Sequence, residues 1–160
     1  CGYFFRNPGE ASKRGLSAPT PIASELLEKY APKLTIVTLA TNYIEGFPAA
    51  GIEMRKFAKM IRASGSACLW VSAPEMRKFR ATEEELKTNP DLYQRVRNLN
   101  KIVYDAVHDL CELEDPLDYT KYPDTGGDGM HYKQGVGDVS AQLWGQNVYD
   151  KAADMLKKLL

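Results

Sequence analysis

Two histidines occur among 160 residues, and one lies in a setting where an imidazole can do chemistry. Asp128-Gly129-Met130-His131 sits inside the glycine-rich run Thr125-Gly126-Gly127-Asp128-Gly129-Met130-His131-Tyr132. A carboxylate three residues ahead of an imidazole can engage one ring nitrogen and leave the other facing a substrate. That pairing is the base and orienting acid of a catalytic triad. The same residues also fit an ordinary glycine turn, in which Asp128 caps the following segment and His131 is a surface side chain. The other histidine, His108, stands beside Asp109 near the end of a helical pattern and is expected to be a C-terminal charge favoured by the helix dipole rather than a ligand.

The elements that must carry these residues alternate between helix and apolar strand. Thr20 as N-cap and Pro21 at the first helical position open a helix to Tyr30, with Ile22, Leu26 and Leu27 at helical spacing and Pro32 beyond it. Leu34-Thr35-Ile36-Val37-Thr38-Leu39-Ala40 is short, β-branched and almost wholly apolar, as expected of a parallel strand covered on both faces. Ile52, Phe57, Met60 and Ile61 mark an amphipathic helix closing at Ser64-Gly65, and Cys68 to Ala73 is a second buried strand stopped by Pro74. Glu75 to Pro90 reads as a loop or short excursion, its charges a solvated face. Leu92 to Val107 is a helix with Val96, Leu99, Val103 and Val107 on one side. Leu110 to Leu113 is a weak third strand. Val139 to Leu160 closes the chain as a long helix, with Trp144, Val148, Ala152, Met155 and Leu159 facing inward.

This order predicts one domain over residues 1–160 with a three-layer α/β/α architecture and a doubly wound, mostly parallel sheet. Function in such sheets collects beyond the carboxyl ends of the strands, the edge on which both Thr41-Asn42 and the His131 loop would lie. Lys plus Arg and Asp plus Glu each number 21, so no basic field invites nucleic acid. No apolar run approaches the roughly 20 residues that span a bilayer. Cys1, Cys68 and Cys111 match no zinc spacing, and neither a metal nor a cofactor is expected. Cys68 and Cys111 would start neighbouring strands and read as two buried free thiols, a disulfide being the alternative.

In its site residues the chain resembles the SGNH hydrolases, also called GDSL esterases, whose domain is flavodoxin-like. Asp128-Gly129-Met130-His131 is similar to the family's last block, an Asp-x-x-His that supplies acid and base. Leu39-Ala40-Thr41-Asn42-Tyr43 is similar to the block that follows a buried strand as Gly-x-Asn-Asp; Ala40 and Tyr43 depart from it. The resemblance implies that the Asn42 amide donates to an oxyanion and that Gly15, in Arg14-Gly15-Leu16-Ser17, offers a backbone N–H there. The block bearing the nucleophile, Gly-Asp-Ser-x-x-x-Gly, is not in the sequence. Cys1-Gly2-Tyr3 looks like its end, which implies a serine and a first strand just upstream of Cys1.

The resemblance implies a serine esterase that removes a short acyl group, acetyl above all, from a carbohydrate or other polar small molecule. O-acyl transfer with the same triad is a variant of that chemistry. A non-catalytic carbohydrate-binding or assembly module that lost the serine is the reading from a different class. The compartment is left open, with the extracytoplasmic or secreted side favoured over the cytoplasm.

Overall fold

Trp70 and its neighbours form the middle strand of a parallel sheet. A computed structural model describes residues 22–39, 47–77, 82–88, 94–132 and 135–160. Its three strands, β1 (Leu34–Val37), β2 (Ala67–Val71) and β3 (Glu112–Glu114), lie in the order β1-β2-β3. Both pairings are parallel, with Leu34 opposite Ala67 and Leu69 opposite Glu112. The helices are α1 (Ala23–Tyr30), α2 (Phe47–Ala63), α3 (Glu83–Thr88), α4 (Arg95–Val107) and α5 (Asp138–Leu159). The chain is thus an α/β protein.

The period of two along β2 separates the layers. Cys68 and Trp70 face a core built from α1, α2 and α4, where Met54, Ala58, Ile61, Leu99, Val103 and Val107 are all fully buried. Leu69 and Val71 face the opposite way, onto Ala152, Trp144, Val148 and Met155 of α5. Every residue of β2 is buried, as the unbroken apolar run requires of a strand covered on both faces. Phe57 meets Trp70 edge-on at 6.2 Å between ring centroids, a favoured aromatic geometry. Helices on both faces of one parallel sheet give the three layers.

Several boundaries differ from the sequence expectation. β1 stops at Val37, and Ile36 is 46% exposed, so the face toward α5 is only partly covered, with Leu34 packed there. The Ser72 N–H still donates to the Glu114 carbonyl of β3 at 2.9 Å, and the change of partner comes at Ala73. The Asn100 side chain takes both polar backbone groups of Ala73, at 3.0 Å from its N–H and 2.8 Å from its carbonyl. The third strand begins at Glu112 rather than Leu110, since the N–H groups of Leu110 and Cys111 both close the end of α4 on the Val107 carbonyl. Leu159 is 45% exposed rather than inward-facing. The excursion after Glu75 holds the short α3, opened by a reciprocal cap in which Thr82 N–H reaches the Glu85 carboxylate and Glu85 N–H reaches the Thr82 hydroxyl.

The cysteines also require a correction. Cys68 and Cys111 form a disulfide, with 4.6 Å between their Cα atoms. The physical reason is register. Leu69 pairs with Glu112, so the residue before each is brought face to face at the amino ends of β2 and β3.

Candidate active site

The loop from Lys121 to Tyr132 crosses the carboxyl end of the sheet. Its glycines set its path: Gly126, Gly127 and Gly129 all have positive φ, at 77°, 64° and 82°. Beneath it lies Tyr122, only 2% exposed, whose hydroxyl accepts the Gly129 N–H at 3.1 Å and faces the His131 carbonyl at 3.3 Å. A Cβ at Gly127 would run into that hydroxyl and come within 2.9 Å of Val136 Cγ1, so the close approach itself demands glycine.

Asp128 is the centre of the loop's hydrogen bonding. Its Oδ1 accepts from the backbone N–H of Met130 at 2.9 Å and of His131 at 2.8 Å, and its Oδ2 meets His131 Nδ1 at 2.7 Å. Those donors hold the carboxyl well below the ordinary carboxylate range, the His131 backbone N–H contributing most, then the His131 ring and the Met130 N–H. An ionised carboxylate only accepts, so Nδ1 must carry the hydrogen. Nε2 is then the basic nitrogen, on a side chain that is 72% exposed.

His131 lines a cavity of about 250 Å³ whose other walls are Thr38, Ser72, Ala73, Pro74, Met76, Met130, Tyr132 and Trp144. Thr38 and Ser72 directly follow β1 and β2, which puts the cavity beyond the carboxyl ends of the strands. Ser72 donates its hydroxyl to the Glu114 carbonyl at 3.2 Å. Tyr132 donates to the Glu75 carbonyl at 2.9 Å and packs edge-on against Tyr122. Burial pushes its phenol up to about 12, so it remains a neutral donor near neutral pH. The arrangement can accept a proton at Nε2 from a hydroxyl held in the cavity and return it to a leaving group.

Of the residues assigned to the site from sequence, His131 and Asp128 are brought into direct contact. Asn42, Gly15 and Cys1 lie outside the described residues. His108 is far from a ligand's role: its Nδ1 meets the Tyr104 carbonyl at 3.0 Å, and its ring stacks on Tyr104. Among the described residues no group of three or more His, Cys, Asp or Glu is arranged to hold a metal ion.

Sequence reasoning missed Tyr122, Arg77 and the cavity walls Thr38, Ser72 and Trp144. Glu75, Met76 and Arg77 lie four to six residues beyond the end of a buried strand, and that position alone was a signal. Compared with known protein families, curated proteins and solved structures, the chain matches none.

Proposed function

We propose that the protein is a serine esterase of the SGNH type that removes a short acyl group from a carbohydrate or other polar substrate. The observation that carries this reading is the 2.7 Å contact between His131 Nδ1 and the Asp128 carboxylate, in a residue that lines a cavity beyond the carboxyl ends of the strands. A serine hydroxyl attacks the ester carbonyl while His131 Nε2 takes its proton. The tetrahedral intermediate collapses as His131 hands that proton to the departing alcohol. Water then repeats the cycle on the acyl-enzyme. By the resemblance the oxyanion falls to Asn42 and the Gly15 N–H, each such donor supplying about 3 kcal/mol of transition-state stabilisation.

A cavity of about 250 Å³ lies below the roughly 300–1,000 Å³ of sites for drug-sized ligands, which supports a small acyl group. The Cys68–Cys111 bond supports an oxidising, extracytoplasmic setting.

The test is labelling of the full-length protein by a serine-directed fluorophosphonate, alongside turnover of p-nitrophenyl acetate. A serine adduct located by mass and complete loss of turnover in His131→Ala are expected, with the melting temperature little changed because the side chain is exposed. An adduct on Ser72 or Thr38 would move the nucleophile into the cavity wall. No adduct on folded protein would leave the non-catalytic binding module as the reading.

A further inference from the structure

We propose that Arg77 is a positioning residue that holds the Asp128–His131 pair in place, an inference that rests on reading His131 as the base. Arg77 grips the loop on both sides of Asp128. Its backbone N–H donates to the Gly129 carbonyl at 2.9 Å, Nη1 donates to the Pro123 carbonyl at 2.9 Å, and Nη2 donates to the Gly126 carbonyl at 3.0 Å. The guanidinium carbon also lies 5.7 Å from the centroid of the Tyr122 ring, the platform under the loop. Pro123 and Gly126 precede Asp128 in the chain and Gly129 follows it, so one residue spans the carboxylate on both sides.

The loop needs such a brace. Three glycines at positive φ give it little conformational preference of its own, and ordering glycine carries the largest backbone entropy loss of any residue. The brace also has a built connection to the sheet. Arg77 lies six residues beyond Val71, the last residue of β2. The intervening chain is fixed by the Asn100 amide at Ala73 and by Glu75, whose N–H donates to the Thr120 hydroxyl at 3.1 Å and whose carboxylate accepts the Tyr122 N–H at 2.8 Å. A planar fork reaches two carbonyls at once, which a lysine ammonium on a flexible stem does less well. Among the described residues Arg77 Nε–H is buried without a hydrogen-bond partner. Relaxing this grip frees the loop, and His131 Nδ1 no longer meets Asp128 in a single geometry.

The experiment compares wild-type protein with Arg77→Met and Arg77→Lys in the full chain. Nitrogen-15 shifts of the His131 ring report its tautomer, alongside kcat and KM for p-nitrophenyl acetate. Wild type is expected to show the Nδ1–H form alone. Arg77→Met is expected to show tautomer averaging and a kcat lower by about 10–100-fold with KM little changed, the signature of a misplaced catalytic group. Arg77→Lys should fall between the two. A ring locked as Nδ1–H in Arg77→Met, even with a lower melting temperature, would overturn the proposal. Should Arg77→Met fail to fold, the Arg77→Lys ring decides: averaging supports the brace and a locked ring overturns it. Absence of ester turnover in wild type would remove the esterase reading alone, because the tautomer measurement needs no turnover.

Discussion

Asp128 serves two purposes through its two oxygens. Oδ1 closes the turn on the backbone N–H groups of Met130 and His131, and Oδ2 orients the imidazole. Asp128→Asn keeps an acceptor for the turn but can place its amide against Nδ1, which forces the wrong tautomer. We expect kcat to fall by about 10³–10⁴-fold, read by ester hydrolysis, with the fold retained by circular dichroism. The pH behaviour follows from the direction of the shift. A carboxyl whose folded value is depressed contributes its interaction above the ordinary carboxylate pKa, and loses it only as pH falls through the lower folded value. The Asp128–His131 contact should therefore persist at pH 4, seen as a downfield Nδ1 proton resonance; its disappearance at that pH would contradict the carboxylate described here. At this scale the pair was legible in the sequence because an Asp-x-x-His spacing within one loop is visible locally, although what holds it in one geometry is not. Arg77 and Tyr122 were not, since the Arg77 contacts with the loop cross 46 and 49 residues.

Among the elements, periodicity carried the most information. The stripe Val96, Leu99, Val103 and Val107 is buried on α4 as its spacing requires, and the apolar run around Trp70 is the covered central strand. Element ends were less legible because side chains from elsewhere decide them. Asn100 stops β2 from outside, and no local feature of Ala73 announces it. The cap of α3 was available in Thr82-Glu83-Glu84-Glu85, a Thr-x-x-Glu pattern hidden within a charged stretch. The glycine loop offers the clearest test among the elements. Gly127→Ala adds a Cβ where φ is 64° and the Tyr122 hydroxyl already stands. A loss of about 1–3 kcal/mol in denaturant unfolding is expected, with a fall in ester turnover as the loop shifts off Tyr122. Unchanged values in both would mean that the loop does not rest on that tyrosine.

For the molecule as a whole, the sheet has two distinct poles. The cavity with His131 lies beyond the carboxyl ends of the strands, and the Cys68–Cys111 bond ties β2 to β3 at their amino ends. The layered α/β plan was legible from the alternation of helix and strand, whereas the bond was not. Whether two thiols meet depends on strand register, and the sequence places β3 only to within a couple of residues. The bond spans a sequence separation of 43, for which the chain-entropy account gives about 4 kcal/mol. Replacing both cysteines by alanine should lower unfolding free energy on that scale while leaving kcat of the surviving folded protein within about twofold, as for sites too far apart to couple. A proportionate loss of kcat would show that the poles are linked. For anyone producing the protein, the choice of host follows from this separation. Expressed where thiols stay reduced, it would emerge in smaller quantity and perish sooner on warming, yet each surviving molecule would work at full speed, so a specific-activity assay would miss the defect that a shelf-life measurement would catch.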